Sequence, residues 1–332
     1  MRILVTGGAG FIGSCYVRGL LDGVHPGYED ARVTVVDKLT YAGNRANLPE
    51  RHERMRFVRG DITDAEFMRE QVAGHDEVVH FAAESHVDRS LHAASEFVRT
   101  NVEGTQSLLE ACLRAEVDRV VHVSTDEVYG SIDEGSWSET RPLLPNSPYS
   151  ASKAGGDLIA RAYWRSHGLD VRVTRCSNNY GPYQHVEKLI PLFVTNLLNG
   201  LDVPLYGNGL NVREWVHVED HCRAVQAVLT GGEAGGIYNI GGTALSNRDI
   251  TDRLLDLCGA DRGRVRHVED RKGHDLRYAV DDSKIRTLLG YRPRISFEEG
   301  LASVVDWYRD NPGWWKPLLP APSAPGGEGA GA

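Results

Sequence analysis

Short apolar runs rich in β-branched residues alternate with longer stretches of helical spacing through the first half of the chain. The runs that predict strands lie at 2–6, 33–36, 57–62, 77–83, 120–124 and 171–176. Helical spacing predicts helices at 14–21, 97–115 and 148–165. Near-continuous apolar strands are typical of a parallel sheet covered on both faces. The alternation therefore predicts an α/β fold with a doubly wound parallel Rossmann sheet and right-handed crossovers.

The second half of the chain follows a different pattern. An Asn-, Gly- and Pro-rich loop follows residue 176, and helical spacing recurs at 189–198, 249–257 and 297–308, with a strand at 237–240. We expect a Rossmann domain over 1–176 with a return segment near 213–240, and a smaller mixed α/β substrate-binding lobe over 177–318. The Ala-, Gly- and Pro-rich tail over 319–332 is expected to be disordered.

Composition narrows the class of protein. A chain of 332 residues with 41% hydrophobic content can bury a large core, and its formal net charge of −9 disfavours nucleic acid or an anionic membrane as a partner. The five cysteines are scattered and form no C-x-x-C pair, so neither a disulfide framework nor a metal site is expected. With no leader sequence and no apolar run of about 18 residues, we expect a soluble, cytoplasmic protein.

A glycine-rich segment, Gly7-Gly8-Ala9-Gly10-Phe11-Ile12-Gly13, joins the first strand to the first helix. It satisfies G-x-G-x-x-G, in which glycines permit a tight turn and bring backbone N–H groups close to a pyrophosphate at the helix N-terminus. At this position the pattern predicts dinucleotide binding. The candidate cofactor-binding residues here are Gly7, Gly10, Phe11, Ile12 and Gly13.

An acidic residue, Asp37, ends the second strand somewhat more than twenty residues after the last glycine of that loop. An acid at this point hydrogen-bonds the adenosine ribose and repels a 2′-phosphate, which favours NAD over NADP. The neighbouring Lys38 and the third strand end at Asp61-Ile62 are expected beside the adenosine. Small side chains at Ala82 and Ala83 would let the backbone approach the cofactor.

A hydroxyl and two adjacent carboxylates, Thr125, Asp126 and Glu127, follow the strand at 120–124. Ligands of open α/β sheets bind outside the carboxyl ends of the strands. Two neighbouring acids repel each other and lose hydration, which tends to raise at least one pKa and suits paired acid and base chemistry. The same residues are also typical helix N-caps, so the pattern alone leaves both interpretations open.

Tyr149 and Lys153 are i,i+4 neighbours and share one helical face. An ammonium and a positively charged nicotinamide ring both favour a phenolate, although lowering the tyrosine pKa from about 10 to about 7 needs roughly 4 kcal/mol. This spacing also occurs by chance in many helices, so the pair alone does not establish a catalytic role.

Three further side chains, His86, Arg89 and Arg213, each allow a functional and a purely structural interpretation. His86 and Arg89 follow the fourth strand and contact either substrate or only solvent. Arg213 either binds phosphate through its guanidinium or forms an ion pair with Glu214.

Taken in order, the glycine loop, Asp37, Thr125 and Tyr149-x-x-x-Lys153 resemble the extended short-chain dehydrogenase/reductase family. Within it the chain is similar to the dTDP-glucose 4,6-dehydratases from residue 1 to about 318, most distinctively at 83–90, 124–130, 178–183 and 271–275. Related GDP-mannose dehydratases and UDP-glucuronate decarboxylases typically have serine before the glutamate, and UDP-galactose epimerases lack the acid pair. Asp126 therefore selects between these families.

The resemblance implies an NAD-dependent lyase that forms dTDP-4-keto-6-deoxyglucose from dTDP-glucose for deoxysugar biosynthesis. Tyr149 would remove the C4 hydroxyl proton during oxidation by NAD, with Lys153 holding the phenolate and Thr125 bonding O4. Glu127 would remove the C5 proton and Asp126 would protonate the departing C6 hydroxyl, before hydride returns to C6. The family also implies a homodimer formed through the helices at about 97–115 and 149–165.

The resemblance also completes the candidate site. To the cofactor-binding set it adds Leu39, Thr40, Thr100, Tyr149, Lys153 and Asn179. The implied substrate-binding residues are Ser85, His86, Thr125, Asn178, Glu187, Lys188, Leu189, Tyr206, Arg213, Asn247, Arg271 and His274.

Two different functions remain compatible with the sequence alone. The chain can be a dehydratase or decarboxylase of another sugar nucleotide, or a non-catalytic NAD-sensing protein that regulates a partner. A sensing protein would not need Asp126, Glu127, Tyr149 and Lys153 together, so their joint presence favours an enzyme.

Overall fold

The computed structural model describes residues 1–270 and 274–319. Its strands are β1 (Arg2–Thr6), β2 (Arg32–Asp37), β3 (Met55–Arg59), β4 (Glu77–His80), β5 (Arg119–Thr125), β6 (Val171–Cys176), β7 (Asn178–Tyr180), β8 (Val203–Tyr206), β9 (Val212–His217), β10 (Ile237–Ile240), β11 (Thr243–Ser246) and β12 (Val265–Val268). Its helices are α1 (Phe11–Leu21), α2 (Ala65–Val72), α3 (Val87–His92), α4 (Ala94–Val98), α5 (Thr105–Arg114), α6 (Pro148–His167), α7 (Leu189–Leu198), α8 (Val218–Gly231), α9 (Asn247–Cys258), α10 (Ser283–Leu288), α11 (Phe297–Asp310) and α12 (Pro312–Trp315).

A parallel sheet organises the first half of the described chain. Its seven strands have the order β10-β6-β5-β4-β1-β2-β3, and every neighbouring pair is parallel. The sequence-based prediction of a doubly wound α/β sheet is confirmed. Strand β10 joins its edge beside β6, so the chain returns to the large sheet after it has left at Cys176.

Two apolar layers cover the sheet, because successive side chains of a strand point to opposite faces. Val5 packs in one layer with α1 and α8, whereas its neighbour Leu4 packs in the other with α2, α5 and α6. Both side chains are fully buried. Burying an aliphatic side chain of this size stabilises the fold by about 1.5–3 kcal/mol. The sheet is thus a rigid platform whose carboxyl edge is free to carry the site.

The predicted continuous helix over 97–115 is interrupted. A π-helical turn, Arg99–Gly104, separates α4 from α5. Within it, the buried amide of Asn101 accepts the N–H of Glu84 at 2.9 Å and donates to the Glu84 carbonyl at 3.0 Å. A Cβ on Gly104 would lie 2.7 Å from the Ile62 side chain. The wide turn therefore brings the loop after β4 and the loop after β3 against one helix, a tertiary effect that apolar spacing does not encode.

A smaller lobe follows the large sheet. It contains a mixed sheet of order β11-β9-β7 and a parallel pair, β12-β8, within the described residues. Its core joins α7, α9 and α11 through Phe193, Ile250 and Val304. Apart from Leu319, the tail for which disorder is predicted lies outside the described residues. Among the helices that are described, none combines the length and apolarity needed to cross a membrane.

Candidate active site

The turn between β1 and α1 forms the floor of the candidate site. Gly7 has a φ of +69°, and a Cβ there would lie 2.5 Å from the backbone nitrogen of Ala82. A Cβ on Gly13 would lie 2.3 Å from the Gly7 carbonyl oxygen. Because neither position tolerates a side chain, the first turn of α1 packs directly on the loop, and its N-terminus faces the carboxyl edge of the sheet.

Asp37, at the end of β2, is hydrogen-bonded to the backbone of this loop. Its Oδ2 accepts the Ala9 N–H at 2.9 Å, and its Oδ1 accepts the Leu39 N–H at 2.8 Å. Burial raises the pKa of Asp37 above its usual value, and the backbone hydrogen bonds oppose that rise. Each carboxylate oxygen retains a further lone pair for a ribose hydroxyl.

A cavity of about 300 Å³, here called the first cavity, runs from the glycine loop to the end of β5. It brings together most of the predicted cofactor-binding set, namely Gly7, Gly10, Phe11, Ile12, Gly13, Asp37, Lys38, Thr40, Asp61, Ile62, Ala82, Ala83, Thr100, Tyr149, Lys153 and Asn179. It is also lined by the strand-end residues Thr125, Asp126 and Glu127. The predicted Leu39 does not line it, because its side chain packs against the core on the α1 side of the sheet. The cofactor-binding and catalytic candidates therefore line one cavity.

A second cavity of about 230 Å³ adjoins the first and extends into the smaller lobe. Six predicted substrate-binding residues line it alone: His86, Leu189, Tyr206, Arg213, Asn247 and His274. Six candidates line both cavities: Ser85, Glu127, Asn178, Asn179, Glu187 and Lys188. Arg271 lies outside the described residues. The shared residues mark the junction at which a cofactor in one cavity and a substrate in the other would meet.

Asp126 lines the first cavity next to Glu127 and is buried, with 2% of its surface exposed. Thr125 Oγ1 donates to Asp126 Oδ1 at 3.2 Å, whereas Oδ2 has no hydrogen-bond partner within the described part of the chain. Burial, and then the charges of Glu127 and Glu214, raise the pKa of Asp126 well above its ordinary value. The raised pKa favours the protonated form of Asp126, which can act as an acid.

Glu127 lies beside it in a more open setting. A short 3₁₀ turn, Asp126–Tyr129, begins after β5, and Thr125 caps it by accepting the Glu127 N–H at 3.3 Å. The Glu127 carboxylate accepts a hydrogen bond from Ser150 Oγ at 3.2 Å and borders both cavities. The sequence allowed two interpretations of these residues, a helix cap and a site for acid and base chemistry. The strand end has both features, because Thr125 caps the turn and the Glu127 carboxylate borders the cavities.

Tyr149 and Lys153 project from the first turns of α6 into the first cavity. Lys153 Nζ donates to the Val123 carbonyl at 2.7 Å. Burial, followed by the charge of Glu127, raises the pKa of Tyr149 well above its ordinary value. The Thr125 hydrogen bond opposes this rise without reversing it, so the chain's own groups do not produce the lowered pKa of Tyr149 that is expected from the sequence.

The asparagine pair after β6 connects the two cavities. The Asn179 amide oxygen lies 2.9 Å from His221 Nδ1, and its nitrogen donates to the Ser177 carbonyl at 3.0 Å. Burial lowers the pKa of His221 to about 3, so its ring is neutral and its Nδ1 carries the hydrogen for this contact. Asn179 is consequently held in one orientation, while the neighbouring Asn178 lines both cavities.

Arg213 supplies positive charge to the second cavity. Its guanidinium donates to the Asp275 carbonyl at 2.9 Å and stacks 4.3 Å from the centroid of the Tyr278 ring. The Glu214 carboxylate, which the sequence offered as an ion-pair partner, accepts the Val280 N–H at 3.1 Å instead. The guanidinium also donates to the Val212 carbonyl at 2.8 Å, and because Arg213 lines the second cavity, its remaining N–H groups can contact an anion there.

Of the candidates His86 and Arg89 in the segment after β4, only one lines a cavity. His86 caps α3 by accepting the Arg89 N–H at 3.4 Å, and burial lowers the pKa of His86 to about 4, so its ring is neutral at pH 7. Arg89 lines neither cavity and donates to Glu187 at 3.0 Å. The structure therefore brings His86, but not Arg89, to the candidate site.

Asp275, which ends the predicted segment 271–275, is joined in the second cavity by three polar residues that sequence reasoning missed: Asn146, Ser147 and Tyr278. Asn146 donates to one carboxylate oxygen of Asp275 at 2.7 Å, and the Tyr278 hydroxyl donates to the other. These contacts join the loop before α6 to the segment before α10. The usable signal was the position of Asp275 directly after the predicted His274, whereas nothing local distinguished Asn146 or Tyr278.

Known proteins resemble this chain over nearly its whole length. A family model described as GDP-mannose 4,6 dehydratase matches residues 4–304. A dTDP-glucose 4,6-dehydratase of Streptomyces niveus is 59% identical, with 99% of each chain covered, and one of Mycobacterium tuberculosis is 50% identical, with 98% of each covered. The crystal structure of DesIV, a dTDP-glucose 4,6-dehydratase of Streptomyces venezuelae with NAD and TYD bound, is 64% identical with a TM-score of 0.95, covering 96% of this chain and 100% of that one. The structure of a UDP-glucose 4-epimerase of Thermus thermophilus in complex with NAD is 34% identical with a TM-score of 0.86. The match covers 94% of this chain and 100% of the epimerase chain.

Proposed function

We propose that this chain, which belongs to the dTDP-glucose 4,6-dehydratases, converts dTDP-glucose to dTDP-4-keto-6-deoxyglucose. The family model that it matches, described as GDP-mannose 4,6 dehydratase, covers these enzymes. The chain is then an NAD-dependent hydro-lyase of deoxysugar biosynthesis. One observation carries the proposal beyond family membership. The buried Asp126, with a raised pKa and an unpartnered carboxylate oxygen in the described structure, lies beside Glu127 where the two cavities meet.

The first cavity fits NAD. Gly7 and Gly13 leave no room for side chains under the loop, so backbone N–H groups and the α1 N-terminus can hold a pyrophosphate. Asp37 has lone pairs available for the adenosine ribose and disfavours a 2′-phosphate. When bound, NAD supplies the acceptor for the hydride from C4 and the donor that returns it to C6.

Oxidation at C4 requires a base for the hydroxyl proton. Tyr149 takes this role as phenolate, and Thr125 holds the C4 oxygen by a hydrogen bond. Lys153 is anchored on the Val123 carbonyl and would bind the cofactor ribose, although burial lowers the pKa of its ammonium group. Since burial and Glu127 raise the pKa of Tyr149 in the protein alone, Tyr149 becomes a base only when the cofactor's positive charge is present.

Elimination across C5–C6 requires an acid and a base that act together. Glu127 receives the C5 proton, which the neighbouring C4 ketone has made acidic. Asp126 delivers its proton to the departing C6 hydroxyl, which leaves as water. The different surroundings of the two carboxyls keep Asp126 protonated while Glu127 faces the junction of the cavities.

The second cavity has the chemistry to hold the nucleoside diphosphate. Arg213 can contact the diphosphate through guanidinium donors. Asn247 presents a buried amide oxygen that has no partner in the described structure, which suits a hydroxyl or N–H of the nucleoside. Ser85, Asn178 and the remaining shared residues would surround the glucosyl group.

We further propose that the enzyme is a cytoplasmic homodimer. Val98 on α4 and Leu158 on α6 are 53% and 59% exposed, and these two helices contact each other on one side of the molecule. An apolar surface of this kind favours burial against a second copy. The five cysteines are unpaired thiols, as a reducing compartment favours.

A substrate panel tests the proposal. The purified protein is incubated separately with dTDP-glucose, UDP-glucose and GDP-mannose, and the products are followed by NMR. Formation of a 4-keto-6-deoxy sugar from dTDP-glucose in preference to the others is expected. Preferred turnover of another nucleotide would reassign the substrate, and NAD binding without turnover would indicate the sensing function instead.

A further inference from the structure

Ser150 makes a contact with the catalytic acid pair that the proposed reaction leaves without a role. It follows Tyr149 in the first turn of α6 and is 1% exposed. Its hydroxyl donates to Glu127 Oε2 at 3.2 Å. Ser150 lines neither cavity, so it acts on the reaction through Glu127 rather than on the substrate.

A second serine extends this hydrogen bond into a chain of three residues. Ser147 is the N-cap of α6, and its Oγ accepts the Ser150 N–H at 3.1 Å. The two hydroxyl oxygens lie 2.7 Å apart. Each hydroxyl has one hydrogen to donate. If Ser147 donates to Ser150, the hydrogen of Ser150 is directed to Glu127, and every contact in the chain Ser147–Ser150–Glu127 is satisfied.

We propose that Ser150 is a positioning residue that holds the Glu127 carboxylate, ionised and in one orientation, for removal of the C5 proton. This inference rests on the proposed dehydratase function. A free glutamate side chain samples several rotamers, and a buried donor on one oxygen restricts them. A hydrogen bond donated to a carboxylate also favours its charged form.

The contact explains how two adjacent carboxyls take opposite roles. Asp126 is the more deeply buried of the two and receives its hydrogen bond from Thr125. Glu127 receives a donor from α6, a different element of the fold. A donated hydrogen bond favours the anion of Glu127, whereas burial raises the pKa of Asp126, so the pair favours a proton on Asp126, the residue that must donate it during elimination.

The test is the variant Ser150→Ala, studied in single turnover with dTDP-glucose that carries deuterium at C5. A hydrogen bond to a charged group of this kind is expected to change the rate of C5-proton removal roughly 10- to 100-fold. The variant should therefore accumulate reduced nicotinamide, seen by its absorbance, and show a larger C5 isotope effect than the wild type. The KM for dTDP-glucose should change little, because Ser150 lines neither cavity.

Ser152→Ala is the matched control. Ser152 lies in the same turn of α6 and is buried, but its hydroxyl bonds the Tyr149 carbonyl and Asn101 instead of Glu127. It should lower the stability of the helix without enlarging the C5 isotope effect. Ser150→Thr keeps a hydroxyl and should return the isotope effect towards the wild-type value, which supplies a second test if the alanine variant does not fold.

The outcomes separate this inference from the proposed function. A wild-type protein that does not convert dTDP-glucose contradicts the proposed function. A wild type that converts it, together with a Ser150→Ala variant whose C5 isotope effect and nicotinamide signal match those of the wild type, overturns the role of Ser150 alone. An equal enlargement of the isotope effect in Ser152→Ala would also overturn it, since a general loss of helix order would then account for both.

Discussion

Asp126 and Glu127 are adjacent in the chain but occupy different environments. Asp126 has a buried carboxylate oxygen with no partner in the described structure, whereas Glu127 accepts a hydrogen bond from Ser150 and borders both cavities. Burial and the Glu127 charge raise the pKa of Asp126. One strand end therefore carries a carboxyl whose protonated form is favoured and a second carboxylate beside it, as the elimination of water requires.

Replacing the acid should stop the reaction after its first step. Asp126→Asn keeps the shape of the side chain but has no acidic proton, so elimination should slow by roughly 10²- to 10⁴-fold. Reduced nicotinamide should still form on mixing with dTDP-glucose, while the 4-keto-6-deoxy product seen by NMR should fall. Product formation at the wild-type rate would show that Asp126 does not donate the proton.

Replacing the tyrosine should block the reaction earlier. Tyr149→Phe removes the phenolic oxygen, so neither reduced nicotinamide nor product should form at more than about 1% of the wild-type rate. Binding of dTDP-glucose, followed by calorimetry, should persist because the second cavity is unaltered. Reduced nicotinamide appearing at the wild-type rate would assign the C4 base to another residue.

The glycine loop predicts a steric effect on cofactor binding. A Cβ on Gly13 would lie 2.3 Å from the Gly7 carbonyl oxygen, so Gly13→Ala must displace α1 or the loop. Overpacking of this kind costs about 1–3 kcal/mol, and the Kd for NAD should rise roughly 5- to 150-fold. Gly313→Ala is the control, because a Cβ there meets nothing within 4 Å. Equal NAD affinity in both variants would contradict this view of the loop.

Glu214 predicts a pH dependence of stability. Burial is the main cause that raises the pKa of Glu214 from 4.5 to about 7. Between pH 4.5 and about 7, Glu214 keeps its proton in the folded protein and loses it in the unfolded chain. The free energy of unfolding therefore falls as the pH rises through this range. The free energy of unfolding of Glu214→Gln should fall less than that of the wild type across this pH range, and the difference between the two decreases should be about 1–3 kcal/mol.

Denaturant unfolding at several pH values measures this difference. Glu233→Gln is the matched control, since Glu233 is exposed and should leave the pH dependence unchanged. Parallel curves for the wild type and Glu214→Gln would refute the predicted role of the buried carboxyl.

The large sheet was predictable because its signals are local. Val33–Val36 and Val120–Val123 are apolar apart from Thr34 and His122, and such near-continuous apolar runs are typical of strands covered on both faces. Helix α8 was not predicted, although Val218, Cys222 and Val225 recur at helical spacing. Buried polar side chains such as His221 and Gln226 interrupt its apolar stripe, and their partners lie on β7 and α1.

The candidate site was predictable where its residues follow strands. Thr125, Asp126 and Glu127 needed only the position of β5 and the rule that ligands bind beyond the carboxyl ends of parallel strands. The contact between Ser150 and Glu127 was not predictable, because it depends on how closely the first turn of α6 approaches the end of β5. Similarly, Asn146 and Tyr278 enter the second cavity through long-range contacts with Asp275.

Conversion of dTDP-glucose in deuterated water tests the central claim most directly. The enzyme should form dTDP-4-keto-6-deoxyglucose with one deuterium at C5, from solvent, and hydrogen transferred from C4 to C6, with no net reduced nicotinamide at the end. Reduced nicotinamide accumulating in proportion to product, or a product that retains the original hydrogen at C5, would contradict an internal oxidation, elimination and reduction at Tyr149, Glu127 and Asp126.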